Sequence, residues 1–338
     1  MTMPTPACPH RMQVHSLIQE TPEVYTLRLI CHDVYHYQPG MYALVSIGGS
    51  DTVLRAYTLS SSPGHSRFIC LTVRRLPAGK GSPWLTGSLK PGNALWLSPA
   101  MGDFTCIRHA ADRYLMLAAG CGITPIMSMT RWLLSERRQS TIQVIYSVRT
   151  PEEIIFAREW QQLARDYSQL QLTIIAEKRA GEGQYSGRLS LSRLQQWAPD
   201  IRQRMVMICG PLPYMEQARQ FALALDVPAS HLQQESFGWP AELATAGSAP
   251  VAGSLRLSTR RPLADYHSPV GTRLLFAMEQ HGIPVNAACR AGVCGSCKTR
   301  IHRGDYSVSS RMTLSDEEVA AGYVLACSCR LEGDVILA

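Results

Sequence analysis

Cys289-Arg290-Ala291-Gly292-Val293-Cys294-Gly295-Ser296-Cys297 is the stretch that decides how the rest of the chain is read. Its cysteines are spaced C-x4-C-x2-C, and a fourth, Cys327, follows after 29 intervening residues. This is the ligand spacing of a 2Fe–2S cluster. Two irons need four thiolates, and three of them have to converge from one tight loop. Gly292 and Gly295 allow such a loop to fold back and to turn amide N–H groups toward cluster sulfurs. A structural zinc site is the competing use of four cysteines. Zinc more often takes two C-x2-C knuckles, and only one is present here. Cys329 is a second candidate for the fourth ligand, but it lengthens the gap by two residues, so the spacing favours Cys327.

Working outward, residues 254–338 read as a small unit around these cysteines, with strands expected at 255–259, 324–327 and 335–337 and a helix at 272–281. The preceding stretch, 238–253, is rich in Ala, Gly, Pro and Ser without periodicity and reads as a linker. Before it, 111–237 alternates in type. Apolar runs at 114–119, 142–148, 170–176 and 205–209 are separated by helical patterns at 125–134, 156–167, 191–197 and 214–225. That rhythm predicts a parallel α/β sheet whose ligands bind beyond the carboxyl ends of the strands. Gly120 and Gly210 fall at such ends. Residues 8–110 carry short β-favouring runs at 24–30, 42–47, 56–59, 68–73 and 94–97. Turn signals such as Gln38-Pro39-Gly40 and Lys90-Pro91-Gly92-Asn93 divide them, which predicts an antiparallel barrel or a sandwich.

Three further motifs carry chemistry. Arg55-Ala56-Tyr57-Thr58 offers a planar guanidinium fork for a pyrophosphate, a flat aromatic face and a hydroxyl on one strand. Alternation on any strand can also place an arginine and a tyrosine on one face. Gly120-Cys121-Gly122-Ile123-Thr124-Pro125 lies between a strand and a helix but lacks the third glycine of the standard dinucleotide fingerprint. Pro125 suits a first helical turn, and Thr124 can cap that helix or meet a ligand. Cys209-Gly210-Pro211 ends a later strand.

Taken together, these segments resemble the ferredoxin–NADP reductase superfamily, followed by a plant-type ferredoxin of β-grasp (α+β) fold. Arg11-Met12-Gln13-Val14-His15, 54–60, 117–129 and the cysteine loop are similar to the reductases that serve the hybrid-cluster protein. The resemblance covers the whole chain. It implies that Arg55, Ala56, Tyr57 and Thr58 bind FAD, with Tyr57 and Thr58 at the reactive ring. Thr72 and Arg74 would lie on the next flavin strand, and Gly81 and Ser82 at a helix start near the flavin phosphates. Gly120, Gly122 and Thr124 would hold the nicotinamide dinucleotide, with Cys209, Gly210 and Pro211 beside the carbon that gives up hydride. Phe237 would cover a flavin face, and ordinary packing explains it nearly as well. Cys289, Cys294, Cys297 and Cys327 would hold the cluster. The implied path runs from NADH through FAD and the cluster to a protein acceptor, the hybrid-cluster protein, in nitric oxide detoxification. Reductase components of aromatic-ring oxygenases or demethylases share all three domains and remain the alternative. Arg149 stands about where a 2′-phosphate would need a cation, so NADPH stays open, although the resemblance leans to NADH.

Composition fits this picture. Eleven cysteines in a chain with no disulfide-rich character point to metal and redox chemistry. Cys8, Cys31, Cys70 and Cys106 stand alone and read as ordinary small residues. The net charge of +7 is spread along the chain rather than clustered, which argues against nucleic acid. Apolar runs are too short for a membrane span, and Pro4, Pro6 and Pro9 interrupt any leader, so a cytoplasmic protein is expected. Residues 254–338 hold ten Lys/Arg against eight Asp/Glu, whereas free plant-type ferredoxins are strongly acidic. A tethered domain meets its donor through high effective concentration instead of long-range steering.

Overall fold

The computed structural model describes residues 3–50, 53–77, 79–237, 253–260, 262–285, 287, 292, 295–311 and 313–338. The expected linker therefore lies outside the described residues except for Gly253, as do Cys289 and Cys294. By its contacts the chain divides into two compact units, 1–51 with 56–236, and 237–338 with 52–55.

The first sheet contains β1 (His10–Gln19), β2 (Val24–Cys31), β3 (Tyr42–Ser46), β4 (Leu54–Thr58), β5 (Ile69–Arg74) and β6 (Ala94–Leu97), in the order β4-β3-β6-β1-β2-β5. Its described pairings are antiparallel. Leu59, just past β4, bridges to Leu71 on β5, which joins the two edges into a barrel. Met12, Leu27, Leu29, Leu71 and Leu97 fill the interior and are fully buried. The ten-residue β1 escapes sequence reading because His, Arg, Gln and Ser interrupt its apolar positions.

The second sheet is parallel throughout: β7 (Arg113–Ala119), β8 (Thr141–Val148), β9 (Leu170–Ala176), β10 (Tyr185–Ser186), β11 (Met205–Cys209) and β12 (Leu232–Glu235). The connecting helices are α1 (Ile123–Glu136), α2 (Ala157–Asp166), α3 (Leu191–Trp197) and α4 (Leu212–Ala224). The strand order, β10-β9-β8-β7-β11-β12, reverses direction between β7 and β11. That reversal is the topological switch point at which open α/β sheets leave a crevice for ligands.

The third sheet comprises β13 (Ser254–Arg260), β14 (Leu263–Pro269), β15 (Lys298–Val308), β16 (Tyr323–Leu325) and β17 (Cys329–Leu337), ordered β14-β13-β17-β15-β16. β13 and β17 run parallel and the other pairs antiparallel. With α5 (Leu274–Gln280) and α6 (Asp316–Ala320) it forms an α+β unit around a core of Leu257, Leu274, Leu325, Leu331 and Val335. α6 opens with a reciprocal capping box between Ser315 and Glu318. The strand expected at 324–327 ends at Leu325, and Cys327 sits in the helical turn that follows.

Candidate redox and nucleotide sites

The turn after β7 and the end of β11 are pressed together at the switch point. A Cβ at Gly122 would lie 2.1 Å from the Cys209 carbonyl oxygen and 2.6 Å from the Gly210 nitrogen, so only glycine fits. Two motifs almost ninety residues apart thus form one wall. Ala119 packs on Gly210 from the other side. α1 starts directly behind this turn with no capping side chain and no acidic residue in its first turn. The Ile123 amide already bonds back to the Gly120 and Cys121 carbonyls, so the amides suited to an anion such as a pyrophosphate are those of the uncapped Gly120–Gly122 turn that leads into the helix. Thr124 donates its hydroxyl to the Cys121 carbonyl at 3.0 Å, so the side chain is already engaged and caps nothing.

Arg74 projects from β5 to the same turn. Its guanidinium stands 3.8 Å from where a Gly120 Cβ would be, and Glu23 and Glu153 lie 3.6 and 3.7 Å away. Arg149, the residue weighed for a 2′-phosphate, is paired to Glu153 at 3.1 Å. Cys209 is fully buried, and burial together with the nearby Glu235 carboxylate pushes its thiol well above the ordinary range. A thiol held protonated in this way is no nucleophile. Glu235 is a residue that sequence reading passed over. It pairs in register with Cys209, is buried, and its carboxylate lies 3.7 Å from the space above Gly102. An acidic residue closing the strand beside Cys-Gly-Pro was the available signal.

On β4, Arg55, Ala56 and Tyr57 are half-buried and Thr58 is buried. The Thr58 hydroxyl has no hydrogen-bond partner among the described residues. A buried orphan of this kind costs about 1–3 kcal/mol unless a ligand meets it, and the polar edge of a flavin ring fits that need. Thr72 spends its hydroxyl inside the barrel, on Thr26 at 2.9 Å and Ser60 at 2.8 Å. Ser82, just before the short helical turn Trp84–Ser88, accepts from the Leu76 amide at 2.9 Å, and Gly81 is buried beside it. Their side-chain contribution to a ligand is accordingly small, and what remains is backbone. Leu85 is core packing, as its full burial indicates.

In the second unit, the Cys297 and Cys327 sulfurs converge to 3.3 Å without a disulfide. Both residues are buried, and the Gly292 amide donates to the Cys327 sulfur at 3.0 Å. Gly292 has φ of +74° and a Cβ there would meet Ser310 at 2.7 Å. Converging, N–H-solvated sulfurs fit the thiolate ligands of an iron–sulfur cluster. Cys329 shares this buried core but heads β17, where burial alone pushes its thiol up to about 12. Phe237 is half-buried at the start of this unit.

Family models agree with this division of labour. An oxidoreductase FAD-binding domain matches residues 10–106, an oxidoreductase NAD-binding domain 116–220, and a 2Fe-2S iron-sulfur cluster binding domain 264–332. NADH oxidoreductase HCR of Escherichia coli (strain K12) is 53% identical over 100% of both chains. The chain belongs to the ferredoxin-reductase-like oxidoreductases that carry a 2Fe–2S domain. Members of this family include the glycine betaine monooxygenase reductase subunit of Pseudomonas aeruginosa (strain UCBPP-PA14), 31% identical over 97% of this chain and 94% of that one. The solved phthalate dioxygenase reductase shares the fold, with a TM-score of 0.65 over 97% of each chain at 22% identity. Among the described residues of this reductase, no helix is long and apolar enough to cross a membrane.

Proposed function

We propose that this reductase takes electrons from NADH and delivers them, through FAD and a 2Fe–2S cluster, to the hybrid-cluster protein. When bound, the flavin would supply the two-to-one conversion, taking up one hydride (two electrons) and giving the electrons up singly to the cluster. The protein's part is placement. In this reading Gly120, Gly122, Thr124 and the amides of the Gly120–Gly122 turn seat the dinucleotide, and Arg74 balances its phosphates. Cys209, Gly210 and Pro211 set the nicotinamide's depth, and Cys209 stays protonated. Arg55, Ala56, Tyr57 and Thr58 hold the flavin, with the Thr58 hydroxyl on its polar edge. Thr72, Gly81 and Ser82 shape its surroundings, and Phe237 covers it. Cys289, Cys294, Cys297 and Cys327 hold the cluster. The division follows as 8–110 for flavin, 111–237 for nicotinamide, 238–253 for a linker and 254–338 for the cluster, in a cytoplasmic protein.

The observation that carries this reading is the contact of the Gly122 turn with Cys209-Gly210 at the strand-order reversal. The full-length 53% identity to an NADH oxidoreductase supports NADH as the donor, and the resemblance of 11–15, 54–60 and 117–129 is what points to the hybrid-cluster protein as acceptor. The 31% likeness to a monooxygenase reductase subunit keeps an oxygenase or demethylase partner as the second reading. Anaerobic spectra before and after NADH test the path: flavin and iron–sulfur bands both bleach. Reoxidation by purified hybrid-cluster protein, but not by an oxygenase component, supports the acceptor. Bleaching with no transfer to it favours the second reading.

A further inference from the structure

Helix α1 holds more than the nucleotide turn. Two side chains on one face of it, Ser128 and Arg131, take consecutive backbone carbonyls from the segment that leaves β4. The Ser128 hydroxyl donates to the Ser61 carbonyl at 2.6 Å. One guanidinium N–H of Arg131 donates to the Ser60 carbonyl. Positions three apart on a helix share a face, so the two bonds form one grip. The Ser128 hydroxyl also accepts the Gly40 amide at 3.2 Å, which ties the Gln38-Pro39-Gly40 turn into the same contact. Gly40 is required there, because at its φ of +96° a Cβ would lie 2.2 Å from the Phe104 carbonyl oxygen.

Both ends of the grip are fixed. On the barrel side, the Ser60 amide and hydroxyl bond the Cys70 carbonyl at 2.9 and 3.2 Å, and the hydroxyl also meets Thr72. Ser60, Ser61 and Ser128 are fully buried. On the sheet side, the Glu159 carboxylate of α2 holds Arg131 through two bonds of 2.6 Å. The guanidinium also lies over the Phe156 ring, 5.2 Å from its centroid. Phe156 precedes α2 in a left-handed conformation, φ 60° and ψ 32°. Arg131 is only 19% exposed, so its guanidinium is sheltered, while the Glu159 carboxylate behind it keeps contact with solvent at 39%. Lysine cannot reproduce this planar fork.

The consequence is geometric. α1 begins at the turn that faces Cys209 and reaches Arg131 about two turns later, roughly 12 Å along its axis. One rigid helix therefore spans from the nucleotide turn to the end of the strand bearing Tyr57 and Thr58. We infer that Ser128 and Arg131, with Glu159 behind them, are positioning residues that set the register of the nicotinamide against the flavin for hydride transfer. Among the described residues, the hydrogen bonds of these three side chains go to Gly40, Ser60, Ser61 and one another rather than to Thr58, Cys209 or Gly210. This inference rests on the NADH-to-flavin reading above. Hydride transfer is the step most sensitive to such a register, because reacting atoms must lie within about 3–3.5 Å.

The test is anaerobic stopped-flow reduction of the FAD-loaded full chain by NADH and by NADH deuterated at the transferred position. For Arg131→Met, the limiting rate of flavin reduction is expected to fall at least about tenfold. The deuterium isotope effect should rise, while FAD content and NADH affinity stay within about twofold. Arg131→Lys and Ser128→Ala should fall between Arg131→Met and wild type in rate, in that order of severity. A change confined to melting temperature or FAD content, with an unaltered limiting rate, overturns the inference. If Arg131→Met does not fold, wild-type rates in both milder variants overturn it equally. Wild-type protein whose flavin NADH does not reduce sinks the functional reading and this inference together. A reducible wild type with unaffected variants sinks only the inference.

Discussion

Cys209 and Cys327 are both buried cysteines at or just beyond the ends of strands, yet the two regions prepare them for opposite work. In the parallel sheet, Cys209 is buried at the switch point beside Glu235, and its thiol is held protonated. What that site offers a ligand is backbone: an uncapped glycine turn and a shaped gap. In the C-terminal sheet, Cys327 receives the Gly292 N–H and faces Cys297 at 3.3 Å. There the side chains themselves are the proposed ligands. A site made of backbone tolerates exchange of side chains but not of space, whereas a site made of ligands tolerates neither loss nor displacement of one sulfur.

The largest expected effect breaks the second region and spares the first. Cys327→Ser should abolish the iron–sulfur spectrum and all electron delivery to a one-electron acceptor, with NADH still bleaching the flavin. Cys329→Ser should keep the cluster, since Cys329 heads β17 while the sulfurs that converge are those of Cys297 and Cys327. Visible spectra and iron content decide this. A cluster retained in Cys327→Ser and lost in Cys329→Ser would exchange the two assignments.

Space is the corresponding weak point of the parallel sheet. Gly122→Ala puts a methyl group within 2.1 Å of a backbone oxygen that cannot move aside. A cost of about 3 kcal/mol is expected from overpacking, read as a fall in the denaturant midpoint of the flavin- and nucleotide-binding unit. The C-terminal unit should keep its spectrum. An unchanged midpoint would mean that the turn and the β11 end separate freely.

The two regions also differ in how far their sequence discloses them. Strands β7, β8, β9 and β11 lie inside the parallel sheet, so each reads as a largely apolar run and is bounded to within a residue from sequence. β14 and β15 each turn one face to water and carry Asp265, His267, Arg303 and Asp305 among their residues, and no apolar run marks them. β1 hides for the same reason. Site chemistry is legible where backbone conformation dictates residue type, as at Gly122, or where a ligand set has a spacing, as at Cys297 and Cys327. The Ser128–Arg131–Glu159 grip is not, because hydrogen bonds to carbonyls leave no trace in the identity of the residues that own those carbonyls. Glu159 also reads as any polar residue on a solvent-facing helix.

A milder perturbation addresses the flavin strand. Tyr57→Ala removes a ring whose stacking is worth about 0.5–1.5 kcal/mol, so FAD affinity should weaken by up to about tenfold. Equilibrium dialysis of FAD against apoprotein measures it, and unchanged affinity would move the stacking role away from Tyr57. The cluster spectrum should be unaffected in either case.

The smallest effect concerns pH and returns to Cys209. Burial raises its thiol, with the Glu235 charge adding to the shift, so the folded protein holds this proton at pH values where an unfolded thiol has lost it. The contribution to stability is therefore complete below the unfolded value of about 8.5 and declines as pH rises beyond it. Cys209→Ala should alter that alkaline decline in melting temperature. It should slow flavin reduction only a few-fold through lost packing, and leave the pH profile of reduction at neutral pH unshifted, because the thiol does not titrate there. A profile whose limb moves with this substitution would mean that Cys209 exchanges its proton during turnover, and the parallel sheet, like the C-terminal one, would then work through a sulfur.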